Sequence, residues 1–178
     1  YNPFEAIKTN ILGTKNVVDA AIEKDVQKVI LISTDKAANP ANLYGATKLC
    51  AERLVISANA YAVEKTKLSV VRYGNVFGSR GSIVKIIEEQ RPCGEITITH
   101  EEMTRFWITL DQGIDLVMTA LERMHGGEIF VPKIPSMKVK DFISILAPEC
   151  RMRVVGIRPG EKLHELLITP EEARHTKE

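Results

Sequence analysis

Hydrophobic and polar positions along the chain fall into short blocks of alternating period. Ile7, Ile11, Val18 and Ile22 recur four and seven residues apart in a run without proline, the spacing of one helix face. Asn2-Pro3 marks the start of that helix, because proline's missing N–H costs nothing in a first turn. Val29-Ile30-Leu31-Ile32 is a continuous β-branched and aliphatic run, of a length that predicts a strand buried on both faces. A polar stretch, residues 33–40, follows it, and Leu43, Cys50, Leu54 and Ala58 then predict a second helix from about Leu43 to Tyr61. Leu68–Tyr73 reads as the next strand and runs into the glycine-rich loop Gly74–Gly81. Ile83–Gln90 reads as a short helix stopped by Pro92 and Gly94, and Ile96–Thr99 alternates as a half-exposed strand does. A third long helix is predicted from Asp111 through Ile114, Val117, Met118 and Leu121, closed by Gly126-Gly127. Glu128–Val131 is a short strand candidate, and one amphipathic helix is expected near Lys138–Leu146. Helices alternating with buried strands predict an α/β fold with a parallel sheet.

Composition narrows the function classes. The 178 residues are 44% hydrophobic, enough for one core or a core with a small lobe. Twenty-four Lys and Arg against 23 Asp and Glu leave a net charge of +1, so no basic excess points to nucleic acid or a membrane surface. The apolar runs are too short to span a bilayer. Cys50, Cys93 and Cys150 are odd in number and far apart, which argues against a disulfide framework and a cysteine metal site and suits a reducing cytoplasm. The opening Tyr1, with no methionine or signal-like segment, leads us to expect a piece of something longer.

Two polar segments carry candidate chemistry. Tyr44 and Lys48 stand four apart at the start of a predicted helix, so a phenol and an ammonium share one face. A neighbouring cation favours the phenolate and makes a general base of it. By itself the spacing is common, and a half-buried tyrosine beside a solvated lysine is its plain reading. Its place just past the end of a buried strand, where open α/β sheets bind ligands, sharpens it. The exit of that strand, Ser33-Thr34-Asp35-Lys36, offers a hydroxyl, a carboxyl and an amine in sequence. Those groups could orient, protonate and deprotonate a sugar-like substrate, although taken alone they read as a polar loop.

Together the segments form STDKAANPANLYGATK, residues 33–48, which resembles the extended short-chain dehydrogenase/reductases, in particular the nucleotide-sugar 4,6-dehydratases. The resemblance continues through NILGTKNVVDAA at 10–21, VVRYGNVFGSRGS at 70–82, MTRFWIT at 103–109, HGGEIFVPKIPSMK at 125–138 and IRPGEKLHE at 157–165. These blocks cover essentially the whole chain and are most similar to the inverting branch that acts on UDP-N-acetylglucosamine in bacterial pseudaminic acid synthesis and flagellin glycosylation. The resemblance implies the C-terminal part of a Rossmann-like parallel sheet with a small substrate-binding lobe. Residues 1–76 would be the remaining dinucleotide-binding part, and 77–178 mainly the lobe, with 111–131 returning to the sheet. The strand, glycine-rich turn and helix that hold the cofactor pyrophosphate in such proteins do not precede Tyr1, so an N-terminal truncation is expected.

The resemblance also implies the roles. Thr34 hydrogen-bonds the sugar 4-hydroxyl, Tyr44 removes its proton, and Lys48 lowers the tyrosine pKa and holds the nicotinamide ribose. Lys36 takes the C5 proton while Asp35 protonates the departing 6-hydroxyl; lysine at this position, where retaining members carry glutamate, implies inversion at C5. Ser33 and Asn75 join Tyr44 and Lys48 in cofactor binding, and Asn75, Arg80, Ser82, Arg105, Arg158 and Glu161 face the UDP-sugar. The implied cofactor is NADP, with NAD as the alternative, and the implied state a homo-oligomer paired through the helices near Pro3 and Leu43. No metal, nucleic acid or membrane partner is implied. Membrane-bound relatives commonly replace the tyrosine with methionine, so Tyr44 favours the other type. Another dehydratase or an epimerase of the superfamily, or a non-catalytic nucleotide-sugar sensor, are the rival readings.

Several residues read more plainly. Gly74, Gly78 and Gly81 after a strand imitate a dinucleotide fingerprint, but the following helix is short and the next strand alternates, so the loop belongs on the substrate side. Arg151 and Arg153 read as surface residues, His100 and His125 as structural, Trp107 as core, and His164 as non-catalytic despite its matched block.

Overall fold

A computed structural model describes residues 2–62, 65–79 and 82–178. In chain order its first half carries α1 (Pro3–Ile7), a π-helical stretch (Lys8–Gly13), α2 (Thr14–Glu23), β1 (Lys28–Thr34), α3 (Leu43–Ala58) and β2 (Lys67–Tyr73). Then follow β3 (Asn75–Val76), α4 (Ile83–Gln90), β4 (Glu95–Ile98), β5 (Thr104–Ile108) and α5 (Leu110–Arg123). The remainder holds β6 (Ile129–Phe130), β7 (Ser136–Lys138), α6 (Val139–Leu146), β8 (Arg151–Val154) and α7 (Pro170–Ala173). The chain divides into two compact units, residues 1–73 with 114–132 and 166–178, and residues 74–113 with 133–165. The segment 166–178 thus joins the first unit, whereas the sequence placed it in the lobe.

The first unit is built on a parallel sheet of order β1-β2-β6, in which Val29 faces Leu68 and Thr34 faces Tyr73. Helices α2 and α3 close over it around Val18, Val55, Ala58, Leu68 and Val70. This is the α/β architecture that the alternating blocks predict. Four of its details differ from the sequence reading. The middle strand, β2, is the one buried without a break from Leu68 to Arg72, while β1 lies at the edge of the described sheet and leaves Ile32 49% exposed. The inner face of α3 is formed by Gly45, Thr47, Ala51, Glu52, Val55 and Ala58, with Cys50 exposed, so the helix lies a partial turn from the predicted stripe. Small residues allow that close approach: a Cβ on Gly45 would sit 2.3 Å from the Lys36 carbonyl oxygen. The π-helical stretch rotates the chain between Ile11 and Val18, and Val18 and Ala21 become the buried pair. On α5 the predicted apolar face is likewise turned, with Ile114 and Met118 exposed and Ala120 fully buried.

The second unit packs Ile87, Ile96, Ile98, Met103, Val139 and Ile143 around a stack of Phe77, Trp107 and Phe142, whose rings lie 4.7 to 5.5 Å apart. Trp107 is a core residue, as expected. β5 pairs parallel with β3 and antiparallel with β7, and β4 pairs parallel with β8. The alternation of Ile96–Thr99 is realised in β4, which buries Ile96 and Ile98. Strands β5, β7 and β8 are additions to the sequence reading; β8 places Arg151 and Arg153 on an exposed strand, where Arg153 meets Glu95 at 2.6 Å. Gly74 is needed for packing, since its Cβ would lie 2.5 Å from that of Phe106.

Candidate active site

The first unit gathers five of the predicted site residues at the end of β1 and the start of α3. Thr34 ends the strand, and its hydroxyl caps the single 3-10 turn Asp35–Ala37 by accepting from the Lys36 amide. That turn carries Asp35 inward, where it is fully buried. Its Oδ1 accepts from the Thr34 hydroxyl and from Lys36 Nζ, both at 2.9 Å. Its Oδ2 is buried with no hydrogen-bond partner among the described residues. A buried carboxyl oxygen left unsatisfied is costly, which singles Asp35 out among the residues at this strand end.

Asn42 caps α3, accepting the Gly45 amide at 2.9 Å, and so sets the first turn that bears Tyr44 and Lys48. Thr47 Oγ1 donates to the Tyr44 carbonyl at 2.9 Å and accepts from Asn10 Nδ2 of the π-helical stretch at 3.0 Å. Asn10 was not among the predicted site residues; the π-helical stretch places its amide against Thr47 of α3. Tyr44 is 43% exposed. Burial of the rest of the ring pushes its phenol above the ordinary value, the Asp35 charge adds to this, and hydrogen bonding to Thr34 pulls it back. Lys48 does not act on it as expected here. Its Nζ donates to the Ile32 carbonyl at 2.7 Å, and burial lowers its own pKa. Spacing put the two side chains on one helix face, but the ammonium is drawn back to the strand end.

An exposed phenol and a half-buried ammonium at the carboxyl end of a parallel strand suit the ribose hydroxyls of a nicotinamide nucleotide, with the Asp35 carboxyl close to the phenol. The residues present fit such a group.

Behind this surface lies a buried charge cluster that sequence reading missed. Glu52 and Arg72 are each about 1% exposed and pair through Arg72 Nη2 and Glu52 Oε2 at 2.6 Å. Arg72 Nε donates to Glu52 Oε1 at 3.1 Å, and Ser33 Oγ donates to the same oxygen. The other edge of the guanidinium donates to both carboxylate oxygens of Glu172 at 2.9 Å and to the Leu167 carbonyl at 2.8 Å. Glu172 also closes a capping box with Thr169 at the start of α7. Burial alone would lower the Arg72 pKa, but the bonds to Glu172 and Glu52 outweigh it and raise it. The Ser33 hydroxyl, predicted for the cofactor, is directed into this cluster.

The substrate-side candidates belong to the second unit, apart from Arg80, which lies outside the described residues. Asn75 opens β3 opposite Trp107, and its Oδ1 is buried without a partner among the described residues. Ser82 precedes α4 with a similarly unpartnered Oγ. Arg105 is 9% exposed and donates to the carbonyls of Thr104 and Leu163, so this guanidinium braces backbone. The Arg158 amide donates to Glu161 at 3.2 Å in an exposed turn. His164 meets Thr104 Oγ1 at 2.8 Å, His100 Nδ1 accepts the Glu102 amide, and the His125 amide donates to Glu128.

Comparison with known proteins gives these residues a context. A family model described as "Polysaccharide biosynthesis protein" matches residues 1–178. The chain is 54% identical, over its whole length and 54% of the relative's, to the UDP-N-acetylglucosamine 4,6-dehydratase (inverting) of Campylobacter jejuni subsp. jejuni serotype O:2. It is 43% identical to the UDP-glucose 4-epimerase of Rickettsia massiliae, over 97% of this chain and 52% of that one. Among solved structures, Pen from Bacillus thuringiensis superposes with a TM-score of 0.92 at 42% identity, covering 98% of this chain and 57% of that one. The chain spans about half the length of the curated relatives it matches.

Proposed function

The chain belongs to the polysaccharide biosynthesis protein family, and from that premise we propose that it carries the proton-handling centre of an inverting UDP-N-acetylglucosamine 4,6-dehydratase. The observation that carries the reading is the buried Asp35 carboxyl. One oxygen is held by Thr34 and Lys36, and the other is unpartnered among the described residues, with the exposed Tyr44 close enough to feel the Asp35 charge.

A bound nicotinamide cofactor, NADP in this proposal, supplies the acceptor and donor of hydride; Tyr44 and Lys48 hold its ribose end. The chain's own residues move the protons. Thr34 orients the 4-hydroxyl of the sugar, and Tyr44 accepts its proton. The resulting 4-ketone acidifies the C5 hydrogen, which Lys36, made neutral by passing a proton along its hydrogen bond to Asp35, takes as a general base. The Asp35 carboxyl, protonated by Lys36, delivers that proton to the 6-hydroxyl as it leaves as water. A proton returned to C5 from the opposite face inverts that centre. Asn75, Arg80, Ser82, Arg105, Arg158 and Glu161 are proposed for the UDP-sugar, with backbone bracing as the part of Arg105 that its bonds support.

The product chemistry suits pseudaminic acid synthesis and flagellin glycosylation. The free Cys50, Cys93 and Cys150 suit a cytoplasmic setting, and no helix among the described residues is long and apolar enough to cross a membrane. Exposed Phe4, Leu12 and Val17 on the first helical run support a homo-oligomer joined there.

The test is incubation of the intact protein with UDP-N-acetylglucosamine and NADP, read by mass spectrometry. A product lighter by one water is expected. An isomer of unchanged mass would instead support a 4-epimerase, and unaltered substrate would contradict both.

A further inference from the structure

The catalytic set is carried by two separate segments, the turn Thr34–Lys36 after β1 and the first turns of α3. Their side chains must keep a fixed spacing for one sugar to meet them all. The cluster of Ser33, Glu52, Arg72 and Glu172 ties these segments together. Ser33 immediately precedes Thr34 and lies opposite Arg72 in the register of β1 and β2, so their side chains share a sheet face. Glu52 stands one turn beyond Lys48 on α3 and two turns beyond Tyr44. Its carboxylate receives Ser33 Oγ and the Arg72 fork together, which joins strand end, helix and central strand at a single group. Arg72 is in turn braced from behind by Glu172 and the Leu167 carbonyl, in the segment that follows residue 165.

Stability does not require such a cluster. Well-packed apolar residues commonly serve a core as well as a buried ion pair or better, whereas planar, bidentate contacts fix geometry. We infer that Glu52 and Arg72 are positioning residues, which hold the Thr34–Lys36 turn in register with Tyr44 and Lys48 through Ser33. The inference rests on the dehydratase reading for the identity of the reaction, but the coupling between segments is a property of the chain. Neither residue touches the reacting atoms; their effect is on alignment, and so on turnover more than on binding.

The experiment compares the intact wild type with Ser33→Ala, Arg72→Lys and the double variant. Ser33→Ala removes one hydroxyl and leaves the Glu52–Arg72 pair intact, so it decides the matter if Arg72→Lys fails to fold. Each variant is expected to lower kcat for UDP-N-acetylglucosamine by about tenfold with KM within about twofold, since small misplacements of reacting groups act on turnover. The double variant should lose less than the product of the two single losses, because both act through one carboxylate. Amide hydrogen exchange should accelerate by about tenfold in peptides covering 33–38 and 43–48 while the second unit keeps wild-type protection. A folded Ser33→Ala protein with wild-type kcat would overturn the inference, as would a loss confined to KM or a fully multiplicative double variant. If the wild type dehydrates no UDP-sugar, the dehydratase reading fails, and exchange decides alone. Faster exchange confined to 33–48 then upholds the coupling, and unchanged exchange there overturns it.

Discussion

A phenol, an amine and a carboxyl can divide acid and base work only if their surroundings differ, and at Tyr44, Lys36 and Asp35 they do. Asp35 is fully buried, the Lys36 side chain is 30% exposed, and the Tyr44 ring is nearly half exposed. Replacing Tyr44 by phenylalanine removes the proposed base and keeps the ring. Activity in the intact protein should fall ~10²–10⁴-fold with an unchanged melting temperature, the usual worth of a positioned general base. Steady-state kinetics beside a thermal melt checks this, and near wild-type kcat would place the base elsewhere. These residues were legible in the sequence because they lie within sixteen consecutive positions and their order is itself a motif. Glu52, Arg72 and Glu172 were not, because their partners lie 20 and 100 residues apart and only folding brings them together. Nor could helical spacing say that Lys48 would turn to the Ile32 carbonyl and leave the phenol raised.

At the scale of elements, α7 is held to the sheet by a charge. Burial works against the Glu172 carboxylate, but bonds from Arg72 and from the Thr169 amide bring its pKa down to about 2 from the ordinary 4.5. A carboxylate depressed by folding adds stability above its unfolded value, and that stability is lost as pH falls toward the folded one. The protein should therefore lose stability between pH 4.5 and about pH 2, and Glu172→Gln should flatten that part of the profile while lowering stability at neutral pH. Urea unfolding across this range measures it, and parallel profiles for the two proteins would show that Glu172 contributes nothing. Elements with strong periodicity or a long apolar run, such as α3, β2 and α4, were readable from the sequence. The π-helical turn was not, since one added residue changes the face and leaves no mark in composition. β5 and β8 escaped for another reason: Thr-Arg-Phe-Trp-Ile and Arg-Met-Arg-Val interleave charge with apolar residues, and pairing with β7 and β4 makes them strands.

Over the whole molecule, the residues proposed to move protons all fall in the first unit, and those proposed for the nucleotide sugar, apart from Arg80 outside the described residues, in the second. The return of 166–178 to the first unit was hidden in the sequence because its anchors on Arg72, the Leu167 carbonyl and the Glu172 carboxylate, lie 95 and 100 residues from that partner. The central claim is that Lys36 serves C5 of the sugar with inversion, and the product's configuration tests it most directly. Proton NMR should follow the intact protein acting on UDP-N-acetylglucosamine in deuterated water, with spectra taken before the free product epimerises. The account predicts a 4-keto-6-deoxy sugar of the L-arabino series carrying deuterium at C5. Early and exclusive formation of the D-xylo isomer would contradict it.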